Sequence, residues 1–160
     1  MRIAIVHGPN LDLLGHREPE MYGRTTLAEL NEGLRALATG LGAEIESFQS
    51  NSEGALIDFI HTAAGRVAGF VVNAGGYTHT SVALLDALLG VDRPYVEVHL
   101  SNLAAREPYR HRSLLAPRAR GIVMGFGTES YSLAVRGLVE SLRRAGENRS
   151  GAGEPTRRAP

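Results

Sequence analysis

Glu97 and His99 stand two residues apart in the apolar run from Tyr95 to Leu100. Side chains alternate along an extended strand, so both project from one face, opposite Val96, Val98 and Leu100. A carboxylate beside an imidazole fixes the ring tautomer and raises its basicity, which equips His99 to deliver a proton to a leaving oxygen near neutral pH. A hydrogen-bonded pair with a purely structural role is the alternative. Arg17 and Tyr22 lie in a polar, glycine-rich loop from Gly8 to Thr25, longer than the roughly two to six residues usual for a strand-to-helix connection. A phenol with a pKa of about 10 is only ~0.1% ionised at pH 7, and each unit of depression needs about 1.4 kcal/mol of differential stabilisation. A nearby guanidinium supplies it. Arg17 is the first candidate to act on Tyr22, with Arg106 and Arg110 next, and a surface tyrosine anchoring the loop by its ring is the bland reading.

Asn73-Ala-Gly-Gly-Tyr-Thr-His-Thr-Ser81 joins glycines that allow close backbone approach to amide, hydroxyl and imidazole groups ahead of a helix, a composition suited to a polyol or anion. His79 has a second reading as a cap for that helix. Arg106-Glu-Pro-Tyr-Arg-His-Arg112 is basic and aromatic. Seventeen basic residues balance seventeen acidic ones, and no second basic stripe accompanies the segment. A carboxylate clamp centred on Arg110 is therefore favoured over a nucleic-acid contact. His7, His16 and His111 lack metal-ligand spacing, so no metal is expected, and His61 reads as the edge of an amphipathic helix. No Gly-x-Ser-x-Gly elbow is present, which counts against an α/β-hydrolase.

Composition narrows the chemistry further. The 160 residues contain no cysteine, which removes disulfides and thiolate chemistry. All seventeen basic residues are arginine; without lysine there is no Schiff base, no internal aldimine with pyridoxal phosphate and no Walker A loop. Hydrophobic residues make up 43% and charged residues 21% of the chain, a globular composition. No apolar run approaches the ~20 residues of a membrane span. The opening Met-Arg-Ile-Ala-Ile-Val-His enters a buried-strand pattern directly, from which a cytoplasmic location is expected.

The elements that must hold these residues alternate. Arg2 to His7, Ala43 to Gln49, Gly69 to Val72, Tyr95 to Leu100 and Ile122 to Met124 read as strands. Between and after them lie helical spacings: Leu27, Leu30, Leu34, Leu37 and Leu41; then Leu56, Ile57, Ile60 and Ala64; then Val82, Leu85 and Leu89; and last Tyr131, Ala134, Val135, Leu138 and Leu142. Thr26 with Glu29, and Ser50 with Glu53, have capping-box spacing. Repeated β/α units of this size predict one α/β domain over 1–145, a flavodoxin-like fold with a five-stranded parallel sheet of order 2-1-3-4-5. Residues 146–160, rich in Gly, Ser, Glu, Arg and Pro, read as a disordered tail. Ligands in such a sheet bind beyond the carboxyl ends of the strands where strand order reverses, and Asn10, Asn73, Glu97, His99 and Ser101 converge there.

Gly8-Pro9-Asn10-Leu11, Arg17-Glu-Pro-Glu-Met-Tyr-Gly23, Asn73 to Ser81, Glu97-Val-His-Leu-Ser-Asn102 and Ala105-Arg106-Glu107 together closely resemble the type II 3-dehydroquinate dehydratases over about residues 1 to 145. The resemblance implies dehydration of 3-dehydroquinate to 3-dehydroshikimate by anti elimination through an enolate, without a cofactor, in the shikimate pathway or in quinate breakdown. It implies Tyr22 as the base, Arg17 as the group favouring its phenolate, Asn10 as holder of a water on the enolate oxygen, and His99 oriented by Glu97 as the acid. Asn73, His79, the surroundings of Leu100 and Ser101, and Arg110 are implied as substrate contacts. Asp86 is implied to approach from an adjacent subunit of a homo-oligomer, a dodecamer built from trimers. Ala104, Arg112 and Leu114 depart from residues common in that family, and none of them has an implied chemical role.

The rival from another class is a flavodoxin-like binding or signalling module. A receiver domain needs clustered acids after the first strand and a lysine after the fifth, and a flavin carrier needs a hydroxyl-rich phosphate loop. The chain has His7-Gly-Pro-Asn10 there and no lysine. A catalytically silent relative of the enzyme is the third reading.

Overall fold

The computed structural model describes residues 1–16 and 24–151, of which 149–151 are described by backbone alone. Strands β1 (Arg2–His7), β2 (Glu44–Gln49), β3 (Gly69–Asn73), β4 (Tyr95–His99) and β5 (Gly121–Met124) form one sheet in the order β2-β1-β3-β4-β5. Every pairing is parallel. This is the predicted α/β architecture, and its cause lies in the strands: β1, β3 and β4 are buried along nearly their whole length, as strands covered on both faces must be.

Alternation divides their side chains between two layers. Ile3, Ile5, Val71, Val96 and Val98 pack against Leu30 and Leu34 of α1 (Leu27–Gly40) and against Tyr131, Val135 and Leu138 of α5 (Glu129–Gly151). Ala4, Val6, Phe70 and Val72 pack on the other side against Leu56 and Ile60 of α2 (Glu53–Ala63) and Leu84 and Leu88 of α4 (Val82–Gly90). A single turn, α3 (Tyr77–Thr80), precedes α4. Among the described residues no helix is long and apolar enough to cross a membrane.

The helix starts follow local chemistry, with two corrections. Thr26 and Glu29 form the predicted capping box: Glu29 N–H donates to Thr26 Oγ1 at 3.2 Å, and Thr26 N–H donates to Glu29 Oε2 at 2.8 Å. Thr26→Ala removes the acceptor and is expected to cost about 1 kcal/mol, read as a lower urea midpoint with an unchanged slope. Helix α2 is capped by Ser52 rather than by Ser50: Ser52 Oγ accepts from Ala55 N–H, while Ser50 Oγ accepts from Ser52 N–H. The two serines share the turn, and the one nearer the helix meets its orphan donors. Likewise Ser81, not His79, caps α4, through Leu84 N–H at 2.8 Å. Helix α5 runs from Glu129 to Gly151, and the pair Arg144–Glu140 at i,i+4 supports it.

A polar group lies inside the α1/α5 layer. His7, at the end of β1, is fully buried, with Nε2 at 2.9 Å from Asn31 Oδ1 and Nδ1 at 3.0 Å from the Tyr131 hydroxyl. The amide oxygen only accepts, so Nε2 carries the proton and Nδ1 accepts from Tyr131 O–H. Burial lowers the His7 pKa from an ordinary 6.5 to about 4, against an opposing contribution from the Asn31 bond. The unfolded chain therefore takes up this proton below about 6.5 while the folded chain stays neutral until about 4, so stability falls with pH through that window and the loss levels off beneath it. The expected loss is on the order of 3 kcal/mol. Denaturant unfolding at pH 7 and pH 4.5 checks it: His7→Gln should flatten the difference.

Candidate active site

The carboxyl ends of β1, β3 and β4 open into one crevice because the sheet sets them side by side. β1 and β3 approach closely there. Gly8 N–H donates to Asn73 O at 2.7 Å, and a Cβ on Gly8 would stand 2.4 Å from Ala74 O, a contact no side chain tolerates. Gly75 meets Pro9 from the other side with a φ of +56°, a left-handed conformation natural to glycine. Asn10 adopts the same region at φ 66°, which asparagine accepts more readily than most residues. A cavity of about 380 Å³ lies between these turns, walled by Asn10, Asn73, His99, Ser101, Arg106 and Arg110 among others.

At its base sits the pair foreseen from alternation. His99 Nε2 lies 2.6 Å from Glu97 Oε1, with His99 5% and Glu97 0% exposed. A carboxylate only accepts, so the bond places the proton on Nε2 and leaves Nδ1 as the ring nitrogen not engaged by Glu97.

The segment after β4 forms the cationic wall through short turns at Leu103–Ala105 and Pro108–Arg110. Arg110 Nε donates to Glu107 Oε2 at 2.9 Å, and Arg106 Nη1 donates to Ser101 Oγ at 3.1 Å. The Glu107 carboxyl is held below its usual range, first by its own backbone N–H and then by Arg106 and Arg110. Among the described residues this wall sets two guanidinium groups, Arg106 and Arg110, beside one carboxylate, Glu107, and guanidinium donors suit a substrate anion.

Asn10, Asn73, His99, Leu100, Ser101 and Arg110 all line the cavity. Glu97 stands behind His99. His79 does not line it: on α3, its Nδ1 donates to Arg112 O at 2.7 Å. Asp86 is exposed on α4, also away from the cavity walls of its own chain. Arg17 and Tyr22 lie outside the described residues.

Two residues around the site escaped the sequence reading. Asn51 Oδ1 accepts from Asn10 N–H at 2.9 Å and from Gln49 Nε2 at 3.1 Å, while Tyr77 O–H donates to Asn51 O at 2.9 Å. Asn51 thus braces the left-handed turn of Asn10; its place just beyond β2, the neighbour of β1, was the available signal. The other is Ser113, whose hydroxyl donates to Glu97 Oε2 at 2.9 Å. It lies in an aperiodic stretch that offered no signal.

A family model described as Dehydroquinase class II matches residues 1–139. A 3-dehydroquinate dehydratase of Parasynechococcus marenigrum is 60% identical over 146 residues, 91% of this chain and 100% of that protein. A protein named catabolic 3-dehydroquinase 1, from Aspergillus terreus, is 56% identical over 141 residues, 88% of this chain and 93% of its own length. The crystal structure of a type II dehydroquinase from Propionibacterium acnes superposes with a TM-score of 0.83 at 38% identity, covering 87% of this chain and 96% of that one.

Proposed function

This chain belongs to the class II dehydroquinase family and dehydrates 3-dehydroquinate to 3-dehydroshikimate, and from that premise we propose how its residues divide the reaction. Tyr22, as phenolate, takes a proton from C2, the carbon α to the ketone, while Arg17 favours the phenolate and stabilises the developing negative charge. The released electron pair enters an enolate whose oxygen is hydrogen-bonded by a water that Asn10 holds. Protonated His99, oriented by Glu97, gives its proton from Nδ1 to the C1 hydroxyl. That group leaves as water, and the enolate collapses to the conjugated C1=C2 enone. The C2 proton and the hydroxyl depart from opposite faces, an anti elimination. Asn73, the surroundings of Leu100 and Ser101, and Arg110, which line the cavity, bind the substrate's hydroxyls and carboxylate.

The observation that carries this reading is the buried 2.6 Å Glu97–His99 pair ending in a cavity with a cationic wall. A fixed donor at the point where charge leaves acts in the transition state more than in the ground state, which is the condition for raising turnover. The substrate ketone is the electron sink in this scheme, so no cofactor is required, and a chain without lysine has no side-chain amine for an imine route. Adding 3-dehydroquinate to the purified protein and following the enone's ultraviolet absorbance tests the reading. Product formation is the expected result, and folded protein that forms none would be a ligand-binding relative.

A dodecamer of four trimers belongs to the same reading, with Asp86 entering the site of an adjacent subunit. Its support is that Asp86 is exposed on α4 beside exposed Val82 and Leu89, an outward face that is partly apolar. Light scattering should give a mass near twelve copies; a fully active monomer would count against it. A cytoplasmic location is also part of this reading.

A further inference from the structure

Glu97 has two oxygens, and the acid step uses one. Oε1 faces His99; Oε2 accepts from Ser113 Oγ at 2.9 Å inside a residue that is 0% exposed. Ser113 Oγ also accepts two main-chain donors, Leu115 N–H at 3.0 Å and Ala116 N–H at 2.9 Å. A hydroxyl owns one proton and two lone pairs. With both lone pairs occupied, its proton is directed to Glu97, and the two N–H donors polarise it into a stronger one.

We propose that Ser113 is a positioning residue for the acid: it commits its hydroxyl proton to Glu97 Oε2, and so fixes the carboxylate that sets the tautomer and aim of His99. The bonds converge on the carboxylate. Main-chain N–H groups donate to Ser113 Oγ, Ser113 O–H donates to Glu97 Oε2, and His99 Nε2–H donates to Glu97 Oε1, leaving Nδ1 for the leaving group. Without the serine proton the buried carboxylate is under-satisfied and free to turn about its last torsion. His99 then loses its defined partner, although nothing that touches the rest of the substrate has changed.

The loop that bears Ser113 is anchored independently of this proton. Tyr95 O–H donates to Leu115 O at 2.5 Å, Leu114 N–H donates to Thr78 O at 2.9 Å, and His79 Nδ1 donates to Arg112 O at 2.7 Å. These three bonds remain when Ser113 is replaced, and Ser113→Thr, which keeps both the hydroxyl donor and the acceptor for Leu115 and Ala116 N–H, controls for the lost main-chain contacts.

The inference rests on the reading of His99 as the acid, and the experiment separates the two. Ser113→Ala should lower kcat for dehydration roughly 30-fold, with KM within about twofold of wild type and C2 hydrogen exchange with deuterated solvent retained. Ser113→Thr, which keeps the hydroxyl, should restore kcat to within about threefold. If Ser113→Ala does not fold, Ser113→Cys, a weaker donor of similar size, is measured in its place and should lower kcat alone. An unchanged kcat in the folded variant, a loss confined to KM, or no recovery in Ser113→Thr overturns the role of Ser113. Should His99→Ala retain dehydration, the acid assignment itself falls; should it lose dehydration while Ser113→Ala keeps it, only the inference about Ser113 falls.

Discussion

His99→Ala is expected to lower the rate of dehydration by about 10³-fold, the usual scale for removing a positioned general acid, while hydrogen at C2 still exchanges with solvent. The two halves of this result have separate causes. In the proposed mechanism abstraction of the C2 proton falls to Tyr22 and does not need the imidazole, whereas expulsion of hydroxide from C1 without a proton donor is slow. Exchange without elimination is therefore the diagnostic outcome. The same substitution leaves Oε1 of a fully buried Glu97 without its partner, so a stability loss of about 1 to 3 kcal/mol accompanies it. His99→Gln separates the effects. Its amide N–H can serve Glu97, yet it has no proton to give, so stability should recover and turnover should not. Unchanged dehydration in His99→Gln would remove His99 from the acid role.

Tyr22→Phe is expected to be at least as severe in turnover, by roughly 10³-fold or more, with substrate binding retained. Here the first step is lost, so C2 exchange should vanish together with dehydration, the opposite of the His99 pattern. Measured side by side by deuterium incorporation and enone absorbance, the two variants assign base and acid to different residues. Near-wild-type enone formation by Tyr22→Phe would refute the proposed base. The phenyl ring preserves the packing surface of the phenol, so a rate loss of this size reports the missing oxygen rather than a misplaced loop.

Much of this architecture was legible because its causes are local. The capping box at Thr26 and Glu29 was readable from a spacing of three. The facing of Glu97 and His99 followed from alternation within one strand. The parallel sheet followed from the alternation of β and α segments along the chain, and its order from the doubly wound pattern that five such units commonly adopt. The errors were also local: Ser50 and Ser52 sit two residues apart and both have cap-forming side chains, so composition did not choose between them.

His7 shows the limit from the other side. Its partners come from α1 and α5, 24 and 124 residues away, and no spacing rule joins those positions. Asn51 meets Asn10 across 41 residues, and Ser113 meets Glu97 across 16. By itself the amino-acid order determined the sheet, its two covering layers, and the residues gathered at the strand ends, since these depend on periodicity and chain order. The partner of each buried polar atom was decided only by the tertiary structure. A carboxylate or an imidazole buried away from water must find its hydrogen bonds wherever packing brings a donor or acceptor, and packing joins segments whose separation along the chain carries no information about their separation in space.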